Sequence, residues 1–322
     1  MPAFPQPDRP NIPHWLHWLD TCPSTNTIAI ARAAQLNHGD VVFTKRQTSG
    51  RGQHGRTWHA PTGVFTASFI LDNLNPNLLQ GFSLAVGLAV IYAIEDLVPD
   101  CRTLLRLKWP NDVWIDQQKL AGILCESTSG NVSGKTRAVV GIGLNRCVDF
   151  AAAGLDESAI GNAVSLHSIA SKVPDELCLL DRLRHYLLEL ADMFSNTDKP
   201  AKKSGLALLL PELRRRDALI GCQVAIELPS ETIYGQAAGI DGCGRLLICL
   251  EGDRIQPFTS GRVRLIYELM VISYWLYQFN VKLHRIRSPL TPLNKLCVMR
   301  IFLNNPESFV NQGFWEQSRH KP

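Results

Sequence analysis

The sequence predicts an α+β fold built on a mixed sheet, followed by a small β-barrel. Three observations carry this expectation. Over the first two thirds of the chain, short β-rich runs stand between apolar helical stretches, with Gly and Asn turns among them. The stretch after a glycine-rich loop at 49–58 is too short and too broken for a parallel crossover, so the flanking strands should form a hairpin. Beyond residue 220 the pattern becomes closely spaced short strands separated by DG, CG and EGD turns.

Taken in order, residues 1–13 carry five prolines and read as an extended lead-in. STNTIAIARAAQL then starts on an N-cap residue, Ser24, and continues in helix formers. DVVFTK (40–45) and VFTASFIL (64–71) are strands, and a long apolar helix covers 79–97. LLRLKW, DVWID, KLAGILCES and TRAVVGIGLN supply further strands. DELCLLDRLRHYLLELADMF places apolar residues at 180, 183, 187, 190 and 194, the stripe of an amphipathic helix. A polar break (SNTDKPAKKSG) and a short helix follow, whose RRR at 214–216 reads as a solvated face. CQVAIEL, TIYGQAAGI, RLLICLE and RVRLIYE then form the barrel. The expected domains are therefore 14–218 and 219–268, with 269–322 left as an unassigned tail.

Composition narrows the class. At 322 residues, 45% hydrophobic and 19% charged, the chain can bury a substantial core and should fold over most of its length. A net charge of +4 permits an anionic ligand without marking a nucleic-acid binder. The nine cysteines are odd in number, form no C-x-x-C, and lie partly in apolar runs, which indicates reduced thiols in a cytoplasmic protein and no zinc cluster. The N-terminus has no apolar h-region, and the run LAVGLAVIYAI (84–94) falls short of the ~18 residues of a membrane span. No membrane role and no specific DNA binding are expected.

SGRGQHGRTW spells G-x-G-x-x-G through Gly50, Gly52 and Gly55, and Asp72 lies about 20 residues further on, as a dinucleotide fingerprint requires. The element between them does not fit. A Rossmann turn needs a helix opening directly after the glycines so that its N-terminus faces the pyrophosphate, and here RTWHAPTG follows. The loop instead suits close backbone approach to a ligand, with Arg51 and Arg56 as forks for phosphate or carboxylate and Trp58 as an apolar wall. KWPND (108–112) sets a polar Asn-Asp pair beside a tryptophan at a proline bend. Lys119 opens the apolar strand KLAGIL, and VGIGLN (140–145) is a strand with two glycines along which a flat ligand can lie.

Together, STN at 24–26, Q-x-x-GRG-x-x-GR-x-W at 47–58, KWPND at 108–112, K-x-x-GIL at 119–124 and GIGLN at 141–145 resemble biotin protein ligase in order and spacing. The segment 220–268 resembles that family's small SH3-like C-terminal domain, so the likeness spans about residues 14–268. The resemblance implies a class II synthetase-like catalytic domain. It implies biotin and ATP with Mg²⁺ as substrates, biotinyl-5′-AMP as intermediate, and a lysine of a biotin carboxyl carrier protein of acetyl-CoA carboxylase or a related enzyme as acceptor.

It also implies roles. Ser24, Thr25, Asn26, Gln47 and the loop Gly50, Arg51, Gly52 and Gln53 belong to the biotin site, with hydrogen bonds to the ureido ring from Ser24, Thr25, Gln47 and the backbone at Gly50 and Arg51. Trp58, Gly141 and Gly143 wall the thioether ring and valeryl chain. Arg51, Arg56, Lys108, Asn111, Asp112 and Asn145 serve ATP. Lys119 bridges the biotin carboxylate and the α-phosphate, and with Arg51 is the catalytic residue. No metal ligands are assigned.

Two departures stand out. Repressor-type members carry arginines after GRG where this chain has Gln53 and His54, which removes charge from the loop. Only 23 residues precede Ser24, too few for the DNA-binding winged helix of those members, so repression is not expected. The alternatives are a lipoate- or octanoate-transferring relative and a non-catalytic biotin-binding protein. Exposed edges on the main sheet favour a homodimer.

Overall fold

A computed structural model describes residues 12–129, 134–154, 160–195 and 205–266. Most of the lead-in, the polar break and the tail at 269–322 lie outside the described residues. The main sheet contains β1 (Leu16–Cys22), β2 (Val41–Gln47), β5 (Val64–Leu74), β6 (Arg106–Lys108), β7 (Asp112–Ile115), β8 (Gln118–Ser129) and β9 (Thr136–Asn145). Their order is β1-β2-β5-β9-β8-β7-β6. Only β1 and β2 run parallel, so the sheet is mixed as expected, and β2 and β5 pair antiparallel across the glycine-rich loop. That loop carries its own two-residue strands, β3 (Gly50–Arg51) and β4 (Thr57–Trp58).

Strand β1 was not among the expected elements. LHWLDTC has one β-branched residue, and it becomes a strand because its alternate residues Leu16 and Trp18 are buried against the core. Helix α1 (Thr25–Ala31) connects it to β2 and starts on Ser24, whose side chain accepts from the Thr27 amide. Helix α2 (Phe82–Leu97) begins three residues later than expected, because Gly81 takes a left-handed conformation (φ 74°) and precedes the first helical turn. Helix α3 (Glu176–Ser195) buries the predicted stripe, and α4 (Leu206–Arg216) packs on α2 and β6.

The two faces of the sheet separate by strict alternation. On β5 and β9, Phe65, Ala67, Phe69, Val140, Ile142 and Leu144 join α2 and α3 in the main core, while Ile70 and Val139, with Val42 of β2, pack with Ala29 and Leu36 on the α1 side. Residues of the second parity, Thr66 and Ser68 on β5 and Gly141 and Gly143 on β9, pair across the sheet on that same α1 face. This face therefore has polar and small residues where the other has large apolar ones. Arg137, also on this parity and 1% exposed, fixes the end of the α1 segment. It holds both oxygens of Asp72 (2.5 and 2.7 Å) and donates to the carbonyls of Ala33 and Leu36. Asp72 is thus occupied by an internal ion pair, in accord with the rejection of a dinucleotide fingerprint.

One expectation is corrected at 214–216. Arg214 and Arg215 are exposed, but Arg216 is 3% exposed and pairs with both oxygens of Glu95 (2.6 and 2.8 Å) and with Glu212 at 2.9 Å. The triplet is split by helical phase: one residue faces α2 and finds Glu95 there, with Glu212 one turn back on its own helix, while the other two face water.

The C-terminal strands form one antiparallel sheet in the order β13-β12-β11-β10-β14, from β10 (Gln223–Glu227), β11 (Thr232–Ile240), β12 (Leu246–Cys249), β13 (Ile255–Phe258) and β14 (Arg262–Leu265). Strand β13 adds to the expected set, with Pro257 inside it. An edge position tolerates the missing N–H. This small SH3-like module is tied to the main sheet by the buried Trp109, whose Nε1 donates to the Gly244 carbonyl at 3.0 Å. Gly244 there meets Gly81 so closely that a Cβ would lie 2.7 Å from the Gly81 Cα.

Candidate active site

A pocket opens on the α1 face of the main sheet, lined by α1, β5, β8, β9 and the glycine-rich hairpin. Its inner end is neutral and already hydrogen-bonded. Ser24, Thr25 and Asn26 are all buried at the start of α1, and Gln47 at the end of β2 accepts from the Thr25 amide at 3.0 Å. Asn26 donates through Nδ2 to the Leu124 carbonyl (3.1 Å) and to Glu126 (2.9 Å). Ser68, wholly buried behind this layer, lies 2.7 Å from the Thr25 hydroxyl and 2.5 Å from Asn26 Oδ1.

The glycines make this packing possible. A Cβ on Gly141 would meet Asn26 Oδ1 at 2.4 Å, one on Gly143 would meet the Trp58 indole at 2.4 Å, and one on Gly50 would meet the Trp58 carbonyl at 2.2 Å. Sequence reasoning gave the space beside Gly141 and Gly143 to a flat ligand. They do line the pocket, but the volume their missing side chains release is taken by Asn26 and Trp58. Two polar atoms at this surface, Trp58 Nε1 and Thr66 Oγ1, are buried with no hydrogen-bond partner among the described residues. Unmade hydrogen bonds of this kind cost about 1–3 kcal/mol each in a closed site, which makes them natural points for ligand or water to satisfy.

The outer end is cationic. In the hairpin, His54 (φ 55°) and Gly55 (φ 72°) turn the chain, the Gly52 amide donates to the Arg56 carbonyl at 2.7 Å, and Arg56 Nε donates to the Gln53 carbonyl at 3.1 Å. Arg51 forms an ion pair with Glu126 on β8. Lys119 lies 5.3 Å from the centre of the Trp58 ring and 2.7 Å from Asp112 Oδ1, a buried oxygen with no hydrogen-bond partner among the described residues. Lys108 stands over Trp114 at 4.9 Å. Burial pushes its pKa down to about 8, against the pull of Asp112, and the neighbouring cations Lys119, Arg56 and Arg262 lower it further.

The structure therefore brings most of the predicted residues to one pocket: Ser24, Thr25, Asn26, Gln47, Arg51, Gly52, Gln53, Arg56, Trp58, Asn111, Lys119, Gly141 and Gly143. Gly50, Lys108, Asp112 and Asn145 stand behind that lining. The side-chain amides of Asn111 and Asn145 are spent on the backbone of β8, donating to the carbonyls of Ile123 (2.6 Å) and Lys119 (3.2 Å). Sequence reasoning missed Thr66, Ser68 and Glu126. A signal existed for the first two, since VFTASFIL interrupts an apolar run with small polar residues two apart, the spacing of one strand face.

A neutral hydrogen-bonding end and a cationic end in one cleft can hold a polar ring, the acid it carries and a phosphate in line. Such a site belongs to the class of carboxylate-activating ligases. The Biotin/lipoate A/B protein ligase family model matches residues 18–145, and that of the biotin protein ligase C-terminal domain matches residues 219–265. The chain is 32% identical over 247 residues to the biotin–[acetyl-CoA-carboxylase] ligase of Mycobacterium tuberculosis, covering 74% of this chain and 85% of that one. It is 29% identical to the bifunctional ligase/repressor BirA of Escherichia coli, over 77% of this chain and 73% of that protein. Among solved structures, the biotin protein ligase of Aquifex aeolicus in complex with biotin and ATP matches with a TM-score of 0.63 and 28% identity, over 78% of this chain and 98% of that one. The chain belongs to the biotin protein ligase family.

Proposed function

We propose that this protein activates biotin with ATP and transfers it to a lysine of a carrier protein. The observation that carries the reading is one pocket lined both by a buried, neutral, hydrogen-bonding end and by Lys119, in a member of this family. A urea buried without partners would lose its hydration, so donors and acceptors must be waiting for it. Thr25, Gln47 and the hairpin backbone at Gly50 and Arg51 are suited to that task.

In the first step a biotin carboxylate oxygen attacks the α-phosphorus of ATP. A P–O bond forms, the bond to the pyrophosphate group breaks, and pyrophosphate leaves with the electron pair. The two reactants are both anions, and their repulsion grows as water is excluded. Lys119, placed between them, would exchange its contact with Asp112 for the two ligand anions, while Arg51 and Arg56 take phosphate oxygens. Among the described residues no group of three or more His, Cys, Asp or Glu could hold a metal. The Mg²⁺ of this reading would be held by the nucleotide phosphates together with one or two carboxylates, and Asp112 and Glu126 are those beside the cationic end. In the second step the uncharged ε-amine of the acceptor lysine attacks the biotinyl carbonyl, AMP leaves, and the amine's proton is lost to solvent.

The acceptor in this reading is a biotin carboxyl carrier protein of acetyl-CoA carboxylase or of a related biotin-dependent enzyme. The edge strand β1 is available for a homodimer, and reading of specific DNA is no part of the proposal. The test is a biotin-dependent exchange of label between pyrophosphate and ATP, followed by streptavidin detection of a carrier domain. Exchange with biotin and none with lipoate or octanoate is expected. Exchange with lipoate alone would replace the reading by the lipoate-ligase one, and biotin binding without exchange would leave a binding protein.

A further inference from the structure

Behind the pocket lies a hydrogen-bonded chain whose direction can be worked out from valence alone. Asn26 Nδ2 faces the Leu124 carbonyl at 3.1 Å and a Glu126 carboxylate oxygen at 2.9 Å. A carbonyl can only accept, so the amide nitrogen must be on that side and Oδ1 must face Ser68. Oδ1 is itself an acceptor only, and at 2.5 Å it takes the single proton of the Ser68 hydroxyl. Ser68 Oγ then has only lone pairs to offer in its 2.7 Å contact with Thr25 Oγ1, so the Thr25 hydroxyl must donate there. The competing acceptor for that proton, Gln47 Oε1, is 3.5 Å away and already engaged by the Thr25 amide at 3.0 Å. Thr25 is thereby left with free lone pairs, and it lines the pocket.

We propose that Ser68, which does not itself line the pocket, is a specificity-determining positioning residue. By taking the Thr25 proton it fixes Thr25 as an acceptor, so that the pocket selects a ligand presenting a ring N–H there. This deepens the biotin reading and rests on it, because a cyclic urea meets the requirement and a plain acyl chain does not. The relay is buried throughout: Ser68 is fully buried, and Thr25 and Asn26 are each 3% exposed. Water therefore does not reach Ser68 to compete for the Thr25 proton, and the polarity is a property of the fold. Gly141 belongs to the same device, since any side chain there would displace the Asn26 amide.

The experiment measures binding of biotin, desthiobiotin and octanoate by calorimetry to the full chain and to Ser68→Ala. Desthiobiotin keeps both ureido N–H groups and octanoate has none. Ser68→Ala frees the Thr25 proton to turn into the pocket, and should weaken biotin and desthiobiotin by about 10- to 100-fold, the scale of one misdirected buried hydrogen bond. Octanoate binding should hold or rise, and kcat for pyrophosphate exchange at saturating biotin should change far less than KM for biotin. A merely structural loss would weaken all three ligands and kcat together, and that result overturns the proposal. Ser68→Cys, which keeps the shape but accepts poorly, covers a failure of the alanine variant to fold and should show the same preference in smaller measure. A native chain that binds biotin beside variants that bind it equally well overturns the proposal alone. A native chain that does not bind biotin overturns the biotin reading with it.

Discussion

The two ends of the pocket solve opposite problems. At the inner end Thr25, Asn26, Gln47 and Ser68 are neutral, buried and already bonded to one another. At the outer end Lys119 and Arg51 are charged, 30% and 44% exposed, and each is held by a carboxylate of the protein, Asp112 and Glu126. Neutral groups out of water must be satisfied in advance, since an orphaned one costs about 1–3 kcal/mol. Cations proposed to meet a phosphate need the reverse: a counter-ion weak enough to surrender. A half-exposed pair, worth roughly 1 kcal/mol or less, supplies that. The difference predicts that damage to the inner end appears as lost ligand affinity and damage to the outer end as lost rate.

The largest effect expected is at Lys119. Lys119→Ala should lower biotin-dependent pyrophosphate exchange by about 100-fold or more, the scale for one preorganised electrostatic contact, with much less loss of biotin affinity. Lys119→Arg should recover only part of the rate, because a planar fork replaces a compact point charge. Near-normal exchange in the alanine variant would move the bridging role to Arg51 or Lys108.

Gln47→Leu breaks the comparison from the other side. It removes the acceptor of the Thr25 amide, a buried donor, and should weaken biotin by roughly 10- to 100-fold while leaving exchange at saturating biotin within a few-fold. An equal drop in both would erase the division between the two ends.

A smaller effect is expected from pH. Lys108 has its pKa lowered by burial from 10.5 to about 8, so in the folded protein its charge is present below about 8 and lost above it. KM for ATP should therefore rise severalfold between pH 7.5 and 9, approaching a tenfold limit per pH unit for one proton taken up on binding. Lys108→Met should show a high KM with no such dependence. In stability the sign is opposite: the burden of a buried charge is present below about 8 and is relieved as pH climbs toward 10.5, so Lys108→Met should gain most in melting temperature near neutrality.

The smallest change is expected at Glu126. Glu126→Gln removes a half-buried counter-ion of Arg51 and should shift KM for ATP by no more than two- to threefold. A tenfold change would mean that the outer end is as firmly preset as the inner one.

Much of this arrangement was legible from residue order. The α3 stripe, the Ser24 cap and the hairpin around Gly50–Trp58 all follow from local periodicity and turn chemistry, which do not depend on the rest of the fold. What escaped depends on distant partners. Glu126 reads as one polar residue near the end of β8 until β8, α1 and the hairpin converge on it. Ser68 reads as a small residue in a strand, although its spacing from Thr66 already marked a polar face. Arg216 looked solvated because a basic triplet suggests water, yet the Glu212 one helical turn before it was the visible sign of a partner. Gly141 and Gly143 were expected to leave room for a flat ligand, but a sequence does not say whether a ligand or another side chain will use that room.

The Trp109 indole, hydrogen-bonded to Gly244, gives the C-terminal strands a further meaning. Trp109 stands in sequence between Lys108, which lies behind the pocket lining, and Asn111, which fixes β8, so the motif is seated in a socket that the second module completes. A chain ending before residue 219 would keep every residue assigned to the pocket lining and yet lose the fixture that sets its outer half in register. The small module serves the site as a jig, without having to touch either substrate.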